Sequence, residues 1–228
     1  MKMELIGREY QAKQLRQYIE RGMSCQVIGP AGSGKTTLIH AVVEALPQNF
    51  RITRLVVQDY TSEAAFWQAL WAGFGRNEAA PPTTSALVEV LSGWNRQGNT
   101  AVVCLDDTDA VADQLAVLSP DFFFDLRNLA TEAKVVFVAA ARQPLSALLP
   151  SSRIGSNFFS YFALLQLGAI NVDEAMRFFD GEKVVLSAED EQLLRGAKAY
   201  FPAQLSKIAE DRRAGKSFGT SLQETRTP

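Results

Sequence analysis

The stretch "GPAGSGKT" at residues 29–36 decides the fold of this chain. It has the spacing GxxxxGK(S/T), follows the short strand-like run "CQVI" and opens a segment with helical spacing. Glycines between a strand and a helix let backbone N–H groups turn inward around phosphate oxygens, and the helix N-terminus adds the positive end of its dipole. An accidental glycine-rich turn is the alternative, but the flanking strand and helix favour a phosphate-binding loop.

This loop offers a contact for each part of a metal-bound triphosphate. The backbone from Ala31 to Gly34 would hold phosphate oxygens, Lys35 would bridge the β- and γ-phosphates, and the hydroxyl of Thr36 would coordinate Mg²⁺. The predicted cofactor-binding residues of the loop are Gly29, Pro30, Ala31, Gly32, Ser33, Gly34, Lys35, Thr36 and Thr37.

A carboxylate for the metal is expected at the end of a buried strand. The run "AVVCLDD" at residues 101–107 has five apolar residues followed by two acids. Ligands of open parallel sheets bind at the carboxyl ends of the strands, so Asp106 is the predicted metal ligand. Asp107 is predicted to orient or deprotonate the attacking water. The alternative is that two acidic residues merely end a strand.

The order of the predicted elements gives the fold class. The predicted strands are Ser24–Ile28, Arg51–Gln58, Thr100–Leu105, Lys134–Ala139 and Phe158–Leu167. The predicted helices between and before them are Met3–Glu20, Thr37–Leu46, Ser62–Gly73 and Ser85–Trp94. Alternating strands and helices predict an α/β fold with a parallel sheet. Because a strand and two helices separate the loop from the acidic strand, the order is that of P-loop NTPases of the ASCE type, with an inserted central strand.

Only helical patterns follow the last predicted strand. They lie at Val172–Phe179, Ala188–Lys198 and Pro202–Arg213. We therefore expect an ATPase core at residues 1–168, a small helical lid at residues 169–215 and a polar, disordered tail at residues 216–228.

Composition excludes several classes of protein. The net charge of −2 gives no sign of a nucleic-acid partner. The longest clean apolar run, Val135–Ala141, is far too short to span a bilayer, and "MKMELIGRE" lacks the apolar core of a signal peptide. We therefore expect a cytoplasmic protein with no membrane partner.

The few cysteine and histidine residues exclude further chemistry. Cys25 and Cys104 each lie in an apolar strand-like run, which predicts buried free thiols in a reducing compartment rather than a disulfide. The single histidine, His40, argues against a histidine-based triad or zinc site, and we expect it to be structural.

Several segments together resemble the STAND and related AAA+ ATPases. The segment "IGREYQAKQLRQYI" ahead of the loop is similar to their opening helix, which implies a place for Arg8 near the adenine of ATP. "CLDD" resembles their acidic strand. "VVFVAAARQPLSALL" resembles their sensor strand, with Arg142 in the place of the arginine that senses the γ-phosphate. The resemblance implies ATP and Mg²⁺ as cofactors and ATP hydrolysis as the activity.

The resemblance continues through the lid, to about residue 213. "FALLQLGAINVDEAMRFFD" is similar to the last strand and first lid helix of these ATPases. "AYFPAQLSKIA" is similar to the GxP segment that contacts nucleotide in STAND proteins, which implies a nucleotide contact for Pro202.

The sequence also departs from the family pattern. Tyr200 replaces the glycine of the GxP motif. Asp107 replaces the glutamate common in AAA+ hydrolases, and this shorter side chain implies slow turnover. No arginine stands at the start of the segment's helix, which favours the STAND side. Most STAND proteins continue into further domains, so we expect either an isolated core or regulatory parts on other polypeptides.

Three functions remain open at this point. The first is a nucleotide-dependent conformational or assembly switch, with a protein partner or further copies of itself. The second is a DNA-associated AAA+ ATPase of the loader or transposition-helper kind. Its support is Arg153, which could act in a neighbouring subunit, and the basic cluster of Arg212, Arg213 and Lys216. The alternative is that Arg153 is a solvent-exposed loop arginine and that the basic cluster lies at a solvent-exposed helix end. The third is a metabolite kinase, but such kinases usually lack the inserted central strand that is predicted here.

Aromatic residues are concentrated in two segments. Phe66, Trp67, Trp71 and Phe74 lie at helical spacing, and "DFFFDL" at residues 121–126 adds three more rings. A core stripe is the default interpretation. A partner surface at Trp67 and Trp71 is the alternative, because so many rings are unusual on one helix.

Overall fold

The computed structural model describes residues 5–76, 83–112, 118–149, 156–196 and 199–225. Its strands are β1 (Cys25–Ile28), β2 (Phe50–Val56), β3 (Thr100–Asp106), β4 (Val136–Ala141) and β5 (Ala163–Gln166). They form one sheet in the order β2-β3-β4-β1-β5, and every pairing is parallel. Since β4 lies between β1 and β3, the predicted α/β fold with an inserted central strand is confirmed.

The helices fall into two groups, those of the core and those that follow the last strand. Those of the core are α1 (Glu9–Glu20), α2 (Lys35–Glu44), α3 (Glu63–Gly73), α4 (Thr84–Arg96), α5 (Pro120–Thr131) and the single turn α6 (Leu145–Leu148). Those after the sheet are α7 (Val172–Gly181), α8 (Ala188–Gly196), α9 (Pro202–Arg213) and α10 (Phe218–Glu224). None of these helices, all within the described ranges, is long and apolar enough to cross a bilayer.

Both faces of the sheet are buried, as a parallel sheet requires. Successive side chains of a strand point to opposite faces. Val102 and Cys104 of β3 therefore pack with α1 and α2, while Val103 and Leu105 pack with α3, α4 and α5. Cys25 and Cys104 are buried free thiols, as predicted.

Two predicted boundaries are wrong. The first helix begins at Glu9 rather than near Met3, because Gly7 has φ +74° and turns the chain just before it. The last strand is short, because Phe158–Tyr161 is a 3-10 turn rather than part of the strand. A turn buries the neighbouring rings of Phe158 and Phe159 in the same cluster, whereas a strand would send them to opposite faces.

Helix α5 was not predicted at all, although the sequence carries its start signal. Pro120 occupies the first turn, and the Ser119 hydroxyl accepts a hydrogen bond from the Phe122 N–H at 3.2 Å. Phe122, Phe123 and Leu126 are buried against the sheet. The "DFFFDL" segment is thus a core helix in two of its three rings, whereas the core prediction is wrong for Phe124, which is 54% exposed.

The aromatic residues of α3 also belong to the core. Trp67 and Trp71 expose only 8% and 6% of their surface, and the Phe66 ring meets the Phe122 ring edge to face at 5.0 Å between centroids. The core interpretation is confirmed, and the alternative of a partner surface at these two tryptophans is wrong.

Helices α7 to α10 pack around a cluster of their own, and we call them the lid. This cluster includes Phe179, Leu205, Ile208 and Phe218. The prediction of a disordered tail from residue 216 is wrong, because α10 buries Phe218 completely and leaves Leu222 only 5% exposed. These two side chains stand one helical turn apart, which the polar composition of the segment conceals.

The three cations of the predicted basic cluster are paired within the lid. The pairs are Arg212 with Asp190 at 3.2 Å, Arg213 with Glu182, and Lys216 with Asp211 at 3.3 Å. A nucleic-acid backbone would therefore compete with carboxylates that already hold these cations. Arg153, the other residue named for DNA or for a neighbouring subunit, lies outside the described residues.

Candidate active site

The phosphate loop runs from the end of β1 to the start of α2. Gly32 and Gly34 have φ of +73° and +88°, a left-handed conformation that glycine adopts at low cost. The Lys35 amine is folded over the loop, where its Nζ donates to the carbonyl oxygens of Gly29 at 2.9 Å and Pro30 at 3.0 Å. Side chains at either glycine would strain this shape.

Thr36 and Asp106 meet at the carboxyl end of the sheet. The Thr36 hydroxyl donates to Asp106 Oδ1 at 3.1 Å, joining the first turn of α2 to the end of β3. Among the described residues, no group of three or more acidic, histidine or cysteine side chains could hold a metal alone. One hydroxyl and one carboxylate fit Mg²⁺, which keeps several waters and completes its shell with substrate phosphates.

Asp107 extends from the same strand end into solvent with an unusual backbone. Its φ is +49°, a left-handed conformation that is uncommon outside glycine and is best tolerated by Asp and Asn. Its N–H donates to Asp106 Oδ1 at 3.0 Å. Asp107 therefore lies with Thr36 and Asp106 at the carboxyl end of the sheet.

Arg142 follows β4 directly and lies beside the end of β3. Its backbone N–H donates to both carboxylate oxygens of Asp109, at 3.0 Å and 2.9 Å. The Arg142 guanidinium remains largely exposed, and its Nε stands 4.0 Å from Asp109.

Arg8 is buried and joins the loop to the end of the sheet. Its guanidinium donates to the carbonyl oxygens of Ser33 at 3.1 Å and Gly168 at 2.6 Å. Burial lowers the pKa of Arg8, while Glu174 opposes the shift. Arg8 therefore contacts both the phosphate loop and the chain that leads into the lid.

The N-terminus of α9 lies against the phosphate loop from the lid side. The Ala203 N–H donates to the Gly32 carbonyl oxygen at 3.2 Å. Pro202 opens the helix, where its missing N–H costs no hydrogen bond. The lid and the loop are thus in direct contact.

A cavity of about 570 Å³ opens between the loop, the strand ends and the lid. Small-molecule sites commonly measure about 300–1,000 Å³. The predicted residues that line it are Arg8, Ala31, Gly32, Gly34, Lys35, Thr36, Thr37, Asp106, Asp107, Arg142 and Pro202. Burial lowers the pKa of Lys35, while Asp109 and then Asp106 act to raise it. The cavity therefore carries cations and carboxylates close together.

Comparison with known proteins identifies the family. Residues 19–149, more than half of the chain, match the AAA domain family. The chain belongs to the AAA domain family. This AAA domain is a P-loop ATPase. No curated protein sequence matches the chain.

Solved structures similar to this AAA domain include two nucleotide-bound proteins and a Walker-type ATPase. The ORC2 protein of Aeropyrum pernix, in its ADPNP–ADP complexes, is 14% identical with a TM-score of 0.73, over 100% of this chain and 70% of that one. A Walker-type ATPase of Pyrococcus abyssi is 13% identical with a TM-score of 0.69, over 97% and 71%. AMPPCP-bound DnaA from Aquifex aeolicus is 17% identical with a TM-score of 0.63, over 97% and 65%. At such identities, the likeness shows the shared fold.

Three predicted loop residues of the AAA domain do not line the cavity. Gly29 and Pro30 supply the carbonyl oxygens that hold Lys35, and Ser33 is fully buried behind the loop. Their place in the structure is to shape the loop rather than to face a ligand in the cavity.

Sequence reasoning missed Asp109 and part of the cavity wall. Asp109 stands three residues after Asp106 in "DDTD", and this third acid was its only signal. The missed wall residues are Leu5, Ile6, Phe178, Glu182, Ala203 and Ser206. These come from segments far apart in the sequence, so no local pattern marks them.

Proposed function

We propose that this AAA domain binds ATP with Mg²⁺ and uses hydrolysis to drive a conformational or assembly switch. The observation that carries the proposal is that one cavity is lined by Lys35, Thr36, Asp106 and Arg142 from the core and by Pro202 from the lid. A nucleotide in this cavity would contact both parts. Replacement of ATP by ADP in the cavity would then change how strongly the nucleotide holds the lid against the core.

Each residue has a proposed role in this reaction. Lys35 and the loop backbone bind the phosphates, while Thr36 and Asp106 hold the metal. When bound there, Mg²⁺ neutralises charge that develops on the phosphates. Asp107 positions the attacking water, and Arg142 senses the γ-phosphate.

The lid supports the STAND type of switch within the AAA+ ATPases. Pro202 lines the cavity, and the Ala203 N–H binds the Gly32 carbonyl oxygen, so the start of α9 contacts the nucleotide loop directly. Of the described arginines, only Arg8 and Arg142 line the cavity, and neither comes from the lid. This agrees with a proline contact in place of a lid arginine.

Replacing the loop lysine tests the central proposal. We expect Lys35→Ala to lose ATP binding, because it removes the cation that would contact the β- and γ-phosphates. Isothermal titration calorimetry with ADPNP and Mg²⁺ measures the affinity. Lys13→Ala, which changes an exposed lysine of α1, should bind as the wild type does. Tight binding of ADPNP by Lys35→Ala would overturn the proposal.

A DNA-associated ATPase is the second candidate. Structures similar to this chain include an ORC1 protein of Aeropyrum pernix in complex with DNA and a Drosophila ORC bound to DNA. The internal pairing of Arg212, Arg213 and Lys216 weighs against a contact through these three residues.

The steady-state rate of ATP hydrolysis separates the two candidates. It should be measured with and without duplex DNA over a range of protein concentrations. A slow rate that is indifferent to both supports a switch that awaits a protein partner. Stimulation by DNA that rises steeply with protein concentration would instead establish assembly on DNA.

A further inference from the structure

Two consecutive side chains tie the segment after β3 to the end of β4. The Thr108 hydroxyl is fully buried and donates to the Ala140 carbonyl oxygen at 2.6 Å. Asp109 accepts the Arg142 N–H with both of its carboxylate oxygens, at 3.0 Å and 2.9 Å. The position at which Arg142 leaves the sheet is therefore fixed by the segment that directly follows Asp106 and Asp107.

The Asp109 carboxylate holds the backbone of Arg142 more closely than its side chain. Hydrogen bonds to an ionised acceptor are stronger than those between neutral groups. The Arg142 Nε is 4.0 Å from the carboxylate, beyond hydrogen-bonding distance, and the side chain is 74% exposed. Within the described part of the chain, the guanidinium makes only this long, exposed ion pair and can leave it to reach a ligand, while its point of attachment is held.

We propose that Asp109 is a positioning residue that fixes Arg142 beside the γ-phosphate site and so sets the preference for ATP over ADP. The inference rests on the proposed function, in which Arg142 senses the γ-phosphate. ADP lacks that phosphate, so its affinity depends little on where Arg142 lies. Loss of the anchor weakens ATP binding selectively.

A purely electrostatic role for Asp109 would have the opposite effect. Asp109 lines the cavity and lies close enough to Lys35 to act against the lowering of the Lys35 pKa by burial. If its carboxylate only repelled phosphates, then removing it would strengthen nucleotide binding, and more so for ATP, which carries the larger negative charge. The sign of the change in preference therefore distinguishes positioning from repulsion.

Amide hydrogen exchange tests the anchor without any nucleotide. NMR measures the exchange rate of the Arg142 N–H in the wild type, in Asp109→Ala and in Asp109→Asn. We expect slow exchange in the wild type, fast exchange in Asp109→Ala, and an intermediate rate in Asp109→Asn, which keeps one acceptor oxygen. An unchanged rate in Asp109→Ala would overturn the anchoring contact.

The ratio of the dissociation constants for ADPNP and ADP tests the consequence. We expect Asp109→Ala to weaken ADPNP binding about tenfold relative to ADP, as for loss of a hydrogen bond to a charged group. Asp109→Asn should fall between Asp109→Ala and the wild type. Asp121→Asn, which changes an exposed acid at the start of α5, is the control and should not change the ratio. A shift towards ADPNP, or no shift, would overturn the proposal.

The double variant separates failure of this inference from failure of the proposed function. If Asp109 acts through Arg142, then Arg142→Ala alone should raise the ratio, and adding Asp109→Ala should raise it no further. A further, additive rise in the double variant would overturn action through Arg142. If Arg142→Ala leaves the ratio unchanged, then the γ-phosphate role of Arg142 is wrong, and this inference falls with it.

Discussion

At the scale of single residues, the left-handed backbone of Asp107 limits which side chains can replace it. We expect Asp107→Asn to keep this backbone, because Asn also tolerates positive φ. The variant should bind ATP as the wild type does but hydrolyse it at least about 100-fold more slowly, since the proposed water-positioning carboxylate is lost. Calorimetry and a phosphate-release assay measure the two quantities.

Two outcomes would contradict this prediction differently. Unchanged turnover in Asp107→Asn would move the role of positioning water to another residue. Lost ATP binding would instead give Asp107 a part in holding the nucleotide. Asp59→Asn, outside the cavity lining, is the matched control and should retain both properties.

The two cysteines give a second prediction for single residues. Burial raises the pKa of Cys104 to about 12 and also raises the pKa of Cys25. The thiolate is the reactive form, so a raised pKa leaves little of it at pH 8. We expect the native protein to resist a colorimetric disulfide reagent at pH 8, and the unfolded protein to react at both thiols. Rapid reaction of the native protein would show that the thiols are accessible.

At the scale of an element, the lid depends on its last helix. Phe218 is fully buried in the lid cluster, so Phe218→Ala should lower the free energy of unfolding by about 3–5 kcal/mol. Urea denaturation followed by circular dichroism measures this change. Val185→Ala is the control, because Val185 is 86% exposed and its loss should change stability by less than about 0.5 kcal/mol. Equal stability of the two variants would mean that the burial of Phe218 of α10 does not stabilise the lid.

The sheet and the lid differ in how well their elements could be predicted. Strand β3 has a continuous apolar run, and strands β1 and β3 both lie next to motifs with fixed spacing, so their sequence positions were predicted closely. Helix α10 has only two buried apolar side chains in a polar segment. Such a helix gains most of its stability from tertiary packing, which local sequence does not show.

At the scale of the whole molecule, Arg8 joins the phosphate loop to the end of the sheet. We expect Arg8→Lys to lower the free energy of unfolding by about 1.5–3 kcal/mol, because one terminal guanidinium nitrogen donates both hydrogen bonds and the shorter lysine side chain does not reach that position. It should also weaken ADP binding, since the Ser33 carbonyl oxygen loses its partner. Urea denaturation and calorimetry measure the two effects.

An exposed arginine provides the control for Arg8. Arg16 pairs with Glu20 on the surface of α1, and exposed pairs contribute about 0–1 kcal/mol. Arg16→Lys should therefore leave both stability and ADP affinity nearly unchanged. If Arg8→Lys matched this control, the buried guanidinium would not couple the loop to the rest of the chain.

The sequence by itself determined the phosphate loop, the acidic strand and the strand order of the core. Each depends on spacing within one element or on the order of elements, and both can be recognised along the chain. Only the tertiary structure decided that Asp109 binds Arg142, 33 positions away, and that Arg8 binds Gly168, 160 positions away. Contacts between distant elements depend on how the sheet and lid pack, and packing is a property of the folded chain rather than of any local pattern.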